Sequence, residues 1–167
     1  MNKIQKYSIG AALALFYYLA YSGNLSHIIA YHEQHHLFLF TEAYFEQQVQ
    51  SEGFFSYLTD FIIQFFYYPA LGSALLALLL ASVYLMSSNI IRFLFGKEDL
   101  LHLSVIPSLA LFYHTMEASH TLVPITISVL TFAIINLVLW IFRSHMPLIP
   151  LFKNLHIQKK SIRTGIT

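Results

Sequence analysis

The densest run of potential ligands in the chain is Tyr31-His32-Glu33-Gln34-His35-His36. His32 and His36 stand four apart, so on a helix they share one face and can hold a divalent metal between them. Glu33 joins such a pair only from a neighbouring turn. The plain alternative is a polar cap where an apolar segment leaves a membrane, with its histidines solvated.

A second group is His114, Glu117 and His120, spaced by threes. Such spacing lets all three face one direction on a helix. A carboxylate near hydrocarbon is costly unless it has a partner, a function or access to the interface. If His32, His36, His114 and Glu117 converge, neutral imidazoles and a carboxylate suit zinc or another divalent ion. No other cofactor is expected. Asp60 and Gln64 form a third group, four apart, with Ser56 extending the stripe. They either line a hydrophilic pocket or form a hydrogen-bonded packing seam. The chain has no Cys, which removes disulfides, thiol catalysis and thiolate metal sites. Phosphate-loop, dinucleotide-binding and Gly-x-Ser-x-Gly signatures are absent.

The elements that position these residues are membrane helices. Of 167 residues, 57% are hydrophobic and only 10% charged. Soluble domains carry about 25% charged residues. No Lys or Arg falls between residues 7 and 91 or between 98 and 142. Lys and Arg collect in cytoplasmic loops, so both intervals should leave the cytoplasm and return. The expected fold is an all-α polytopic bundle within 1–143, its spans at 7–30, 68–95, 101–118 and 122–142, with both termini cytoplasmic. Lys3 and Lys6 ahead of Ile9 to Tyr21 read as an uncleaved first span. The basic segment 144–167 reads as a cytoplasmic tail.

Between the first two spans lies an outer segment, 31–67. Over 54–67, Phe54, Leu58, Phe61 and Phe65 line one helical face and Ser56, Asp60, Gln64 and Tyr67 the other. Aromatic rings with polar edges favour the bilayer interface. An interfacial helix on the outer leaflet, bending near Pro69 into the second span, is expected.

The stretch from Tyr31 to Phe40, followed by Tyr57 to Tyr67, resembles the N-terminal region of a family of uncharacterised multi-pass membrane proteins from Bacteroidetes. Glu33-Gln34, Phe38 and Asp60…Gln64-Phe65-Phe66-Tyr67 carry the match. It covers about residues 10–95 well and 100–142 loosely. The resemblance implies longer members with further spans, and hence a shortened or frameshifted chain here. There is also a fainter likeness to polyprenyl-phosphate-sugar glycosyltransferases, which place an acidic residue in the first outer loop; Glu33 takes that position. That analogy is at the level of fold only.

The expected function is therefore that of a bacterial inner-membrane protein without an assigned reaction, serving as a scaffold or accessory subunit or standing as a truncated membrane-domain fragment. Its partners are the lipid bilayer and other membrane subunits, not nucleic acid. The rival is an extracytoplasmic transferase acting on a lipid-linked substrate. Glu33 or Glu117 would serve as its base or metal ligand, His32 and His114 would assist, and Asp60 and Gln64 are further catalytic candidates. A transporter ranks last, because no charged group lies near the bilayer midplane.

Overall fold

The computed structural model describes residues 3–36, 38–95 and 103–145. Seven α-helices and one 3-10 turn account for almost all of them, and no strand occurs among the described residues. The helices are α1 (Lys3–Ser22), α2 (Ser26–His35), α3 (Glu42–Ser51), α4 (Phe54–Ile63), α5 (Pro69–Phe95), α6 (Val105–His114) and α7 (Val123–His145), with the 3-10 turn at Gln64–Tyr67. The chain divides into Met1–Asn136 and a second unit from Leu137, whose described residues are the last turns of α7.

Among the described residues, α5 and α7 are the two helices long and apolar enough to cross a membrane. They match the spans expected at 68–95 and 122–142 closely. Pro69 opens α5 and Pro124 lies in the first turn of α7. A missing N–H costs nothing there, because no intrahelical acceptor is available.

The other two expected spans differ. The stretch 7–30 is broken after Ser22. Gly23 and Asn24 stop α1, Leu25 N–H reaches back to Ala20 O at 2.9 Å, and α2 restarts at Ser26. α1 keeps 20 residues, about 30 Å at 1.5 Å each, but Lys6 and its tyrosines dilute its apolar character. For the expected span 101–118, residues 101 and 102 lie outside the described set, and α6 has 10 residues. That is about 15 Å, half a bilayer core. Thr115 then turns the chain, its N–H shared between Leu111 O and Phe112 O. Apart from its first two residues, the expected tail 144–167 also lies outside the described residues.

Within the first unit α5 is the axis: α1, α2, α6 and the 3-10 turn pack against it. Two glycines allow close approach. A Cβ on Gly10 would meet Leu85 Cδ2 at 2.9 Å, and one on Gly72 would meet Phe66 Cδ1 at 2.9 Å and Phe66 Cα at 3.1 Å. The core gathers Tyr17, Tyr21, Ile28, Ile29, Ile63, Phe66, Leu76, Leu80, Leu122 and Ile125. Hydroxyls pair inside it. Tyr17 meets Ser108 at 2.8 Å, Ser108 donates to Leu80 O at 2.7 Å, Tyr21 bonds Thr115, and Thr59 meets Thr126 at 2.9 Å. Meanwhile Leu15, Leu19, Leu78 and Ile134 face outward.

In the second unit, Leu137, Val138, Trp140, Ile141 and Phe142 are all exposed.

Candidate functional site

The helix expected over 54–67 is present as α4 and the 3-10 turn. Gly53, at φ 92°, supplies the turn into α4 that a side chain would strain. The two expected faces are met in part: Leu58 and Phe61 are half-buried, and Tyr67 is exposed rather than buried with the polar face. Phe54 and Phe65 are exposed, while Ser56, Thr59 and Asp60 are buried.

Asp60 is the centre. Only 4% exposed, its carboxylate is held by three partners. Oδ1 lies 2.9 Å from His36 Nδ1, at the C-terminus of α2. Oδ2 accepts from Gln48 Nε2 at 2.8 Å and from Tyr44 Oη at 3.3 Å, both on α3. Gln48 Nε2 also lies 3.0 Å from Glu52 Oε2 and 3.4 Å from Ser56 Oγ. With two hydrogens it serves the two nearer acceptors, Asp60 and Glu52. Ser56 Oγ donates to Glu52 Oε2 at 2.7 Å. A buried carboxylate needs such donors, because burial without them would neutralise it.

The network ties α2, α3 and α4 together, and the aromatic ring of Phe38 closes it on one side. Phe38 contacts Tyr57, Tyr44 and Phe61 with centroids at 5.1, 5.7 and 5.5 Å. α3 exists because Thr41 caps it: Thr41 Oγ1 accepts from Tyr44 N at 3.2 Å.

Titration follows the geometry. The hydrogen bond to Asp60 raises the His36 pKa despite burial. Burial, reinforced by the neighbouring His36 and His35, pushes His32 down to about 4. Burial and then the Asp60 charge push the Tyr44 phenol up to about 12.

His32 sits apart from this network. It is 1% exposed, its ring centre is 5.6 Å from that of His36, and neither ring nitrogen has a hydrogen-bond partner. His35 turns away, stacked on Tyr31 at 4.1 Å with Nδ1 on Tyr31 O. Glu33 is half-buried and Gln64 begins the 3-10 turn. The side chains of both make no hydrogen bond with any described residue.

The third group forms its own local cluster. His114 and His120 stack at 4.6 Å, His120 Nδ1 donates to His114 O at 2.9 Å, and His120 Nε2 faces Glu117 Oε2 at 3.3 Å. Ser119 also donates to Glu117. Among the described residues no three of His, Asp and Glu gather closely enough to hold an ion by themselves, so His32, His36, His114 and Glu117 are not one ligand set in this conformation.

Sequence reasoning found Asp60 and Ser56 in one group and His36 in another. It missed Tyr44, Gln48 and Glu52. A signal existed: Gln48, Glu52, Ser56 and Asp60 are spaced by fours across Gly53.

A family model matches residues 2–156, and its description is a family of unknown function, DUF6057. No curated protein and no solved structure matches the chain.

Proposed function

Because the chain belongs to DUF6057, a family of unknown function, its role has to be read from its own geometry, and we propose that it is a membrane-embedded accessory or scaffold domain. In this reading α1, α5, α6 and α7 are its membrane segments, in a bacterial plasma membrane. Both termini are cytoplasmic, and α2 to α4 form a platform on the outer face. Its partners are the bilayer and further membrane subunits.

One observation carries the reading. Several polar side chains turn inward and pair beside the apolar core, while many large apolar side chains face outward. Hydroxyl pairs such as Tyr17–Ser108 and Thr59–Thr126 are buried, yet Leu15 is 59% and Leu78 61% exposed. Water would penalise that arrangement, whereas hydrocarbon favours it. α6 at 10 residues fits a segment that enters without reaching across alone. The absence of Cys makes the test direct. A cysteine at Ser51 should react with an impermeant thiol reagent from outside intact cells, and one at Ser161 only after permeabilisation. Labelling of position 161 from outside would overturn the topology.

A second reading, an extracytoplasmic transferase on a lipid-linked sugar, draws support from His36. Its Nδ1 is held by a buried carboxylate while its side chain is 32% exposed, the arrangement of an oriented general base. Glu33, Gln64 and Glu117 then lie off the reacting pair. A His36→Gln strain that accumulates its polyprenyl-phosphate-sugar donor would favour this reading. Unchanged lipid-linked pools would leave the accessory role standing.

A further inference from the structure

His32 is the anomaly of the outer platform. Protein interiors rarely bury a polar group without a partner. This imidazole is 1% exposed with both nitrogens unpaired. A leucine or phenylalanine would fill the space without that penalty.

The neighbouring ring supplies the second observation. His36 lies one turn on, with ring centres 5.6 Å apart and planes inclined by 35°. Two imidazoles on one tetrahedral ion, with metal–nitrogen distances of about 2.0–2.1 Å, have their centres roughly 5 Å apart. His36 Nδ1 is already engaged by Asp60 at 2.9 Å, which leaves Nε2 as its free donor atom. A carboxylate behind a ligating imidazole is the usual outer partner in metal centres, because it fixes the ring and raises its basicity. The surrounding charge agrees. Residues 31–67 carry Glu33, Glu42, Glu46, Glu52 and Asp60 and no Lys or Arg.

We propose that His32 and His36 bind one divalent transition-metal ion of the zinc type, with Asp60 holding His36 from behind. The inference goes beyond the accessory role and is independent of it. The two imidazoles supply half of a tetrahedral shell, and water completes it on the side where His36 is 32% exposed. Loading requires the His36 ring to swing outward, because both His32 nitrogens are shut off from solvent. His114 and Glu117 take no part.

The full chain in detergent, stripped with chelator and dialysed against zinc, should retain about one equivalent. Cobalt in its place should give the visible absorption of a tetrahedral nitrogen–oxygen site. His32→Phe, which keeps the core filled, and His36→Gln should each retain less than a tenth of an equivalent. Asp60→Asn should weaken binding by about 10–100-fold. Glu117→Ala should bind as the wild type does. Wild-type retention below a tenth of an equivalent would overturn the site, and so would full retention in a folded His32→Phe protein or loss in Glu117→Ala. The thiol-labelling pattern reads the membrane topology separately, so failure of one leaves the other intact.

Discussion

His36 and Asp60, 24 residues apart in sequence, meet at 2.9 Å and fasten the end of α2 to the buried face of α4. The contact brings together one residue that reads as a metal ligand and another that reads as a helix seam. Its strength rests on the other groups that share the Asp60 carboxylate.

Removing the carboxylate should therefore loosen three helices at once. Asp60→Ala leaves the donors of His36, Gln48 and Tyr44 without their acceptor. Breaking a fully buried pair costs about 3–5 kcal/mol. His36 is 32% exposed and recovers water, so about 2–3 kcal/mol is expected. Asp60→Asn, which keeps one acceptor oxygen, should cost less. Denaturant unfolding of both variants in mild detergent measures the order; equal stability of Asp60→Ala and wild type would contradict the network.

Much of this architecture is legible in the chain, and the gaps have physical causes. α5 and α7 are visible because long apolar runs free of charge read directly as long helices. α1 looks continuous with α2, since Leu25, Ile28, Ile29 and Ala30 prolong its apolar run, and only the Gly23-Asn24 stop separates them. α3 escapes notice because it is short, its few apolar residues are scattered among polar ones, and its start depends on a single cap at Thr41. The site is half legible for a similar reason. Periodicity finds Asp60 on its own helix, and the spacing by fours points to Gln48, but the break at Gly53 hides from any local rule that Gln48 and Tyr44 fold back onto it.

The two helix-contact glycines should respond unequally to alanine. At Gly72 the new Cβ meets Phe66 backbone at 3.1 Å as well as its ring at 2.9 Å, so the 3-10 turn itself must move. Overpacking of this kind costs about 1–3 kcal/mol. At Gly10 the obstacle is the far end of Leu85, a flexible side chain, and under about 1 kcal/mol is expected. Thermal midpoints of the two variants should separate accordingly. A more damaging Gly10→Ala would mean that α1 and α5 are packed more rigidly than their side chains require.

Interhelical hydroxyl pairing should be worth little in each instance. A double-mutant cycle with Tyr17→Phe and Ser108→Ala isolates the 2.8 Å contact between α1 and α6. Coupling of about 0.6 kcal/mol, and no more than about 1.7, is the range for such pairs in bilayers. A coupling near zero would make the contact incidental to packing.

Tyr44 offers a titration that reports on the network without disturbing it. Its phenol stands near 12 because burial and the Asp60 carboxylate both oppose a phenolate, against about 10 for an unperturbed tyrosine. A raised folded-state pKa means that the folded chain holds this proton more tightly than the unfolded one. The associated stability is complete below about pH 10 and is lost as pH rises toward 12. Ultraviolet difference titration of wild type against Tyr44→Phe should show the Tyr44 ionisation late, above that of a free phenol. In an Asp60→Asn background the same step should move down, because one of its two main causes has been removed. A Tyr44 that ionises near 10 in the folded wild type would place its hydroxyl outside the Asp60 cluster.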